Sequence, residues 1–357
     1  MKKEHKIEIV KWSDFISKNI RGKKTQEALS HYVQGLILNN TPVIIDFDHL
    51  ARLLGVQNEI LSKIVFNSSS FYYNFEIPKR NEGFREISAP YPVLLQSQKW
   101  IYENILIKQP LHENSKGFIK NVSIVDNAKA HLNQTYLLKM DVENFFPSIK
   151  INRIISIFRN LGYTKKISYY LASICCLNNE LPQGAATSPT LSNIIAKRLD
   201  YRLSGFASKF DLKYTRYADD FTFSGKQLPV RLISYIENIV KEEGFVIKKS
   251  KTKLLNKNKQ KIVTGISISS GKLTIPKKTK REVRKNIHYV LTKGLFAHQK
   301  HIKSNDPIYL ERLLGYLYFW YSVEPKNSYV LNSIKELKEY SKKIDKEYTL
   351  HNKVYKK

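Results

Sequence analysis

The sequence predicts an α+β fold, and three observations support this class. Apolar and aromatic residues form short runs over 71–78, 136–141 and 213–224, a pattern typical of strands. Longer segments carry apolar residues at three- and four-residue steps, as amphipathic helices do. The chain has 357 residues, of which 42% are hydrophobic, enough for a substantial core and more than one subdomain.

The elements follow in order along the chain. Residues 1–65 are expected to be mostly helical, with residues 47–55 showing helical spacing and a glycine stop. A hairpin with a basic turn is predicted over 71–78 and 84–90, and a late hairpin over 262–268 and 272–276, joined by Ser-Ser-Gly. Further helices are predicted over 93–108, 151–161, 189–206 and 276–293, then to about Lys343, before a basic C-terminal tail.

Two adjacent acids, Asp219 and Asp220, lie between strand-like stretches in the sequence Tyr217-Ala-Asp-Asp-Phe-Thr-Phe. We expect them at the turn of a hairpin, where carboxylates are held forward and hard cations find oxygen ligands. The alternative for this tetrapeptide is an ordinary solvated turn.

A third acid, Asp141, ends the apolar run Tyr136-Leu-Leu-Lys-Met. An unpaired carboxylate at the end of a buried strand is costly, which favours a cation or another partner. The alternative is an Asp that hydrogen-bonds its own turn. Asp141 and Asp219 together could bracket two Mg²⁺ ions, the arrangement used for in-line nucleotidyl transfer.

The charge balance favours a polyanionic partner. Sixty Lys and Arg against thirty-one Asp and Glu give a net charge of +29, far more than solubility requires. Residues 241–285 hold fifteen basic residues against three Glu, and this stretch is the predicted track for a nucleic-acid backbone.

The remaining composition argues for a cytoplasmic protein. Cys175 and Cys176 are neighbours in an apolar pattern, so they are expected to be core residues in a reducing compartment. They offer no cysteine-pair zinc site. The first residues lack the apolar stretch of a signal peptide, and no run of about 18 apolar residues predicts a membrane span.

Five blocks in the same order resemble bacterial retron reverse transcriptases, from about Tyr72 to the C-terminal helices. These blocks are Asn127-Ala-Lys-Ala-His131, Asp141–Ser148, Leu181–Asn193, Tyr217–Asp220 and Val263-Thr-Gly265. Two positions depart from the family pattern: Ala186 replaces a common Pro, and Lys248 replaces a frequent Asn.

The resemblance implies a right-hand polymerase with fingers, a palm carrying an antiparallel sheet, and a helical thumb. The expected organisation is an N-terminal helical extension at 1–65 and fingers at 66–135 with 150–182. The palm is expected at 136–149 and 183–275, and the thumb with its basic tail at 276–357.

The resemblance also implies site residues. The catalytic acids are Asp141, Asp219 and Asp220, with Asp220 the weaker metal ligand, and Val142 joins the metal set. The implied nucleotide-binding residues are Lys79, Arg85, Phe146, Gln183, Gly184 and Lys251. The implied RNA-binding residues are Asn127, His131, Lys280, Arg281, Arg284 and Lys285, the last four projecting outward from a helix.

Several of these residues have alternatives. Lys79 and Arg85 would grip the triphosphate, or belong to a solvated basic hairpin. Phe146 would exclude a 2′-hydroxyl, or pack in the core. Lys251 would protonate the leaving pyrophosphate, or only bind phosphate. His131 fits a structural or RNA-contacting role better than a catalytic base.

The implied function is Mg²⁺-dependent synthesis of DNA from dNTPs on a structured noncoding RNA. Priming from an RNA 2′-hydroxyl would give a branched RNA–DNA product, trimmed by a host RNase H. An effector protein would complete an anti-phage defence system. The alternatives are a group II intron or diversity-generating reverse transcriptase, and a non-catalytic RNA-binding scaffold.

Overall fold

The N-terminal segment is helical, as predicted. The computed structural model describes residues 3–79 and 83–354. Its first helices are α1 (Lys3–Asn19), α2 (Lys23–Leu38), α3 (Phe47–Leu54) and α4 (Asn58–Phe66). The Asp46 side chain caps α3 by accepting from the His49 N–H at 2.7 Å, and Gly55 ends it with φ 69°. The predicted glycine stop is therefore confirmed.

An antiparallel hairpin follows, formed by β1 (Tyr72–Pro78) and β2 (Phe84–Pro90). The predicted basic turn includes residues 80–82, which lie outside the described residues. Helix α5 (Pro92–Asn104) ends four residues before the predicted 108, because the chain tightens there into a 3₁₀ turn, Leu106–Lys108.

The central sheet has four antiparallel strands in the order β4-β5-β3-β6. These strands are β3 (Tyr136–Asp141), β4 (Lys213–Tyr217), β5 (Asp220–Gly225) and β6 (Lys253–Leu255). Around the sheet lie α6 (Ile124–Lys129), α7 (Phe145–Ser148), α8 (Ile151–Asn160), α9 (Lys165–Cys175), α10 (Ser188–Lys209) and α11 (Leu232–Glu242). This mixture confirms the α+β class.

Strand β3 divides its side chains between two cores. Leu138 and Met140 belong to the larger core, which also takes in the N-terminal helices, while Leu137 belongs to a smaller C-terminal core. The alternation follows from the period of two in a strand. Cys175 and Cys176 are free thiols buried in the larger core, as predicted.

The late hairpin differs from the prediction. Residues 262–268 do not form one strand, because the chain reverses between β7 (Ile262–Val263) and β8 (Ile266–Ser267). Thr264 and Gly265 have φ of 45° and 85°, the left-handed pair that a two-residue type I′ turn needs. Part of the predicted pairing survives, since the Ser267 N–H donates to the Thr274 carbonyl at 2.8 Å.

The C-terminal helices are α12 (Lys277–Lys293), α13 (Leu295–His301), α14 (Tyr309–Val323) and α15 (Ser328–Val354). They enclose the smaller core around the buried Trp320. The predicted basic tail ends in residues 355–357, which lie outside the described residues. None of the helices described is both long and apolar enough to cross a bilayer.

One of the basic residues expected to project outward from α12 does not do so. The ammonium of Lys280 pairs with Glu324 at 2.7 Å and lies 5.2 Å from the Trp320 ring centre. That expectation is wrong because the long lysine side chain folds back onto the aromatic surface of α14. Arg281, Arg284 and Lys285 are exposed, although the Arg284 guanidinium also lies 5.4 Å from the Trp320 ring centre and 4.7 Å from that of Tyr329.

Candidate active site

The three acids meet at one end of the central sheet. Asp141, the last residue of β3, lies opposite Asp220, the first residue of β5. Asp219 lies in the preceding turn, where Ala218 has φ 56°. The Asp219 carbonyl accepts from the Val142 N–H at 3.0 Å. Strand pairing thus joins carboxylates that are 78 residues apart in the chain.

The local electrostatics raise the pKa values of both acids in the hairpin. Burial and the neighbouring charges of Asp141 and Asp220 raise the pKa of Asp219 to about 6. Burial also raises the pKa of Asp220, with Asp141 adding to the effect and Lys139 opposing it. The cluster carries negative charge that the surrounding protein compensates only in part, so a cation would stabilise it.

Lys251 compensates one of these acids directly. Its ammonium lies 2.6 Å from Oδ2 of Asp141, and the Lys248 N–H donates to the Asp141 carbonyl at 2.8 Å. Half of the Lys251 side chain is exposed (52%), so this ion pair lies at the boundary with solvent.

The donor set fits a hard divalent cation that also takes oxygens from a substrate. Carboxylates are suitable ligands, and burial together with the charges of Asp141 and Asp220 raises the pKa of Asp219, so a bound cation would stabilise its ionised form. Within residues 3–79 and 83–354, no three His, Cys, Asp or Glu side chains form a group that could hold a metal ion by themselves. Mg²⁺ is usually held by one or two carboxylates together with substrate phosphates, so such a protein cage is not required.

A cleft of about 650 Å³ opens in front of the acids. Five of the six predicted nucleotide-binding residues line it together with Asp141, Asp219 and Asp220; they are Lys79, Arg85, Phe146, Gln183 and Lys251. A cleft with acids on its floor and cations on its walls suits a phosphate-bearing substrate bound through a divalent ion.

Gly184, the sixth residue, does not line the cleft. It has φ 131°, and a Cβ there would stand 2.5 Å from the Ser88 carbonyl oxygen. The adjacent Gln183 carbonyl accepts from the Ser88 N–H at 2.8 Å. Glycine is therefore needed here for close packing against β2, and it is Gln183 that lines the cleft.

Phe146 lies just after β3 at the edge of the cleft. Its ring is half-buried and lies 6.3 Å from the ring of Phe118 and 5.5 Å from that of Phe145, measured between centroids. Phe145 is buried in the larger core, whereas Phe146 lines the cleft. Phe146 also packs against the larger core, so its position is compatible with both predicted roles, excluding a 2′-hydroxyl and core packing.

Asn127 and His131 do not contact solvent, and the expectation that they bind RNA is corrected. Both are buried behind the sheet. The His131 ring lies between the hydroxyls of Ser224 and Thr215, at 2.6 and 2.8 Å, and Thr215 donates to Asn127 Oδ1 at 2.6 Å. Asn127 Nδ2 in turn contacts the Thr264 hydroxyl at 3.5 Å. The two blocks around Asn127 and Thr264 are therefore joined by one chain of polar contacts, which runs from buried His131 to half-buried Thr264.

The burial of His131 predicts a pH dependence of stability. Burial lowers its pKa to about 3, against 6.5 ordinarily, so the unfolded chain binds more protons between these values. The free energy of unfolding should fall by roughly 2 kcal/mol between pH 6.5 and pH 5 from this residue alone. The free energy of unfolding of His131→Gln, measured with urea, should therefore change less steeply with pH than that of the parent. The exposed His288→Gln is the matched control, and an equal slope in both variants would contradict the assignment.

The sequence reasoning missed a group of buried polar residues behind the turn. Arg216, immediately before Tyr217, forms a fully buried ion pair with Asp200 at 2.6 Å, and Asn193 and Ser115 bond to the same guanidinium. One signal was available: Asp200 follows Leu199 within the apolar stripe of α10, where a charge requires a buried partner.

Comparison with known proteins identifies the family that this chain matches. Residues 77–289 match the model of the reverse transcriptase (RNA-dependent DNA polymerase) family. The retron Ec86 reverse transcriptase of Escherichia coli is 34% identical over 86% of this chain and 92% of its own length. The retron Ec83 enzyme of the same organism is 28% identical over 76% and 91%.

A third relative, the retron Mx162 reverse transcriptase of Myxococcus xanthus, is 32% identical, and the match spans only 57% of it. Among solved structures, a Candida albicans telomerase bound to an RNA fragment aligns with 74% of this chain and 63% of its own, with a TM-score of 0.41 and 11% identity. A foamy viral protease-reverse transcriptase with double-stranded DNA covers 91% and 58%, with a TM-score of 0.40 and 14% identity.

Proposed function

This chain belongs to the reverse transcriptase family, among the bacterial retron enzymes, and is an RNA-directed DNA polymerase; from this premise we propose how it works and what it copies. We propose that it synthesises DNA on a cognate structured noncoding RNA, starting from an RNA 2′-hydroxyl and yielding a branched RNA–DNA product. The observation that carries the catalytic part is the meeting of Asp141, Asp219 and Asp220 at the floor of a cleft lined by cations.

Each residue around the cleft has a proposed role. Asp141 and Asp219, with Val142 and more weakly Asp220, would hold two Mg²⁺ ions, which supply the charge stabilisation of in-line nucleotidyl transfer when bound. Lys79 and Arg85 would bind the triphosphate of a dNTP. Gln183 would contact the base pair being formed. Lys251, once it leaves Asp141, would bind the pyrophosphate or protonate it.

We propose the following subdomains for this arrangement. The fingers comprise residues 66–135 and 150–182, the palm 136–149 and 183–275, and the thumb 276–357, after an N-terminal extension of 1–65. The right-hand polymerase fold of the family accommodates the central sheet as palm and the C-terminal helices as thumb. The exposed Arg281, Arg284 and Lys285 on α12 would contact the RNA backbone, and binding should weaken as salt rises.

The branched product can be tested on nucleic acid that co-purifies with the protein from its native host. The parent should carry DNA covalently joined to RNA, and an enzyme that hydrolyses 2′,5′ linkages should separate the two. Asp219→Asn should carry RNA alone. DNA that is indifferent to debranching would contradict priming from a 2′-hydroxyl.

The remaining partners are proposals from the retron relatives. A host RNase H would trim the copied template, and an effector protein restrained by the polymerase and its product would provide anti-phage defence in the cytoplasm. Deleting the gene beside the polymerase should then remove protection from phage while leaving the RNA–DNA product intact. Full protection without a neighbouring gene would contradict the effector.

Phe146 gives a prediction about sugar selection. Replacing it with Val should open space beneath the sugar and raise the use of ribonucleotides relative to dNTPs by roughly 100-fold, as loss of a steric clash worth a few kcal/mol would. The measurement is the ratio of kcat/KM for dCTP and CTP on one primed RNA. Phe66→Val is the control: it replaces an exposed ring that is distant from Phe146 in the sequence, and it should leave this ratio unchanged. An unaltered ratio in Phe146→Val would assign that ring to packing alone.

A further inference from the structure

The guanidinium of Arg216 is fully buried, and all its N–H donors are used within the protein. Nε and Nη2 donate to the two carboxylate oxygens of Asp200 at 2.8 and 2.6 Å. Nη2 also donates to the Ser115 hydroxyl at 3.1 Å, and Nη1 donates to Asn193 Oδ1 at 2.9 Å. The remaining donation, from Nη1, goes to the Ala218 carbonyl at 3.2 Å. Arg216 therefore reaches into the turn that carries Asp219.

This turn has a backbone that needs outside support. Ala218 has φ 56°, in the left-handed region that residues with a Cβ rarely occupy. Such a conformation persists where the surrounding structure fixes it. The contact from Arg216 to the Ala218 carbonyl is one such constraint.

The segment 114–117 supplies a second constraint on the turn. The Lys116 N–H donates to the Arg216 carbonyl at 2.7 Å, and Asn193 Nδ2 donates to the Gly117 carbonyl at 2.8 Å. A Cβ on Gly117 would stand 2.8 Å from the backbone nitrogen of Ala218. Gly117 thus lies against the turn, and no larger residue fits without displacing it.

We propose that Arg216, Asn193 and Gly117 are positioning residues that fix the Ala218–Asp219 backbone, so that the Asp219 carboxylate stands where a divalent cation and the nucleotide meet. The inference rests on the proposed role of Asp219 as a metal ligand. Only arginine has a planar fork that can hold Asp200 with two donors and still reach Asn193 and Ala218. Asn193 joins the guanidinium to Gly117, so the three residues act on the turn as one unit.

Two variants disturb this unit by different means. Arg216→Lys keeps a positive charge beside Asp200 but lacks the donors to reach Ala218. Gly117→Ala leaves the ion pair intact and presses a methyl group against the turn. Gly205→Ala is the matched control, since a Cβ there meets nothing within 4 Å. The measurements are kcat and KM for a dNTP on a primed RNA, the Kd for that RNA, the melting temperature, and Tb³⁺ binding without nucleotide.

The expected result is a fall in kcat of roughly 100-fold for both variants, because a misplacement near 1 Å has that effect on a reacting group. The Kd for RNA should stay within about twofold and Tb³⁺ binding should weaken several-fold. Gly205→Ala should match the parent in kcat, Kd and Tb³⁺ binding, and it should melt no lower, because Ala is favoured over Gly inside a helix. A merely structural role would lower the melting temperature without changing Tb³⁺ binding of the folded protein. If Arg216→Lys does not fold, Gly117→Ala decides the question alone.

Parent-like kcat and Tb³⁺ binding in Gly117→Ala would overturn the positioning role. So would a raised KM with unchanged kcat, which would assign these residues to substrate binding. Failure of the proposed metal role looks different, because Asp219→Asn would then bind Tb³⁺ as the parent does.

Discussion

Asp219→Asn is expected to lower DNA synthesis on a primed RNA by roughly 1,000-fold or more. The charge stabilisation supplied by a metal ion is worth several kcal/mol, and each 1.36 kcal/mol is a factor of ten in rate. Asp220→Asn should have a smaller effect, as expected for a weaker ligand. The measurement is single-nucleotide incorporation at saturating dNTP. Asp211→Asn is a suitable control, since Asp211 is exposed and already has the φ of 52° that Asn tolerates.

Asp219→Asn should also make the metal-free protein more stable at pH 7. The pKa of Asp219 is raised from 3.8 to about 6, so its ionised form is disfavoured in the folded state. That cost is fully present above about pH 6 and fades as pH falls towards 3.8, where the carboxyl is protonated in both states. Asn carries no such cost.

The stability gain should be on the order of 1–2 kcal/mol at pH 7, after a discount for partial solvent screening. It should vanish near pH 4. Added Mg²⁺ should stabilise the parent and have little effect on Asp219→Asn. The stability difference between the two proteins should therefore become smaller or change sign. Thermal melts at both pH values, with and without Mg²⁺, measure this. An inactive variant that is also less stable without metal would indicate damage to the fold.

Asp200→Ala is expected to produce the largest loss of stability. It leaves the Arg216 guanidinium buried without its carboxylate, which typically costs about 3–5 kcal/mol. The Arg202–Glu242 pair, which joins α10 to α11, provides a comparison because both partners are at least partly exposed. Glu242→Ala should cost less than about 1 kcal/mol.

Urea unfolding of the two variants measures the difference. The double variant Asp200→Leu/Arg216→Met should recover much of the stability lost in Asp200→Ala, since apolar residues often replace a buried pair at little cost. It should not recover the rate of synthesis, because Ala218 would still lack its partner. Equal costs for the two single variants would mean that Arg216 finds solvent or another anion.

The elements with strong local signals could be predicted from the sequence. The Asp219 hairpin, the end of β3 at Asp141 and the glycine stop at Gly55 all follow from periodicity and turn chemistry. The late hairpin could not be placed correctly from the same rules. The segment 262–268, Ile-Val-Thr-Gly-Ile-Ser-Ile, is compatible with one strand, and the tertiary setting selects the reversal at Thr264 and Gly265.

The direction of individual side chains was the second feature that could not be predicted from the sequence. Asn127 and His131 are polar residues whose partners, Thr215 and Ser224, lie more than 80 residues away, so local sequence cannot reveal that they are buried. Lys280 illustrates the same point on a surface, because its partners belong to α14. The position of Asp200 in α10 indicates a buried partner, but local sequence does not reveal that this partner is Arg216, 16 residues away on β4.

Strand β3 ends at Asp141 and touches both cores, with Leu137 on one side and Leu138 on the other. Both faces of β3 are therefore packed against a core, and the position of the strand depends on both cores. A chain cut before α12 would leave the Leu137 side open to water and would lose the rigidity of the strand that ends in Asp141. The C-terminal helices therefore support the strand that ends in Asp141, and a variant that lacks them should lose activity together with stability.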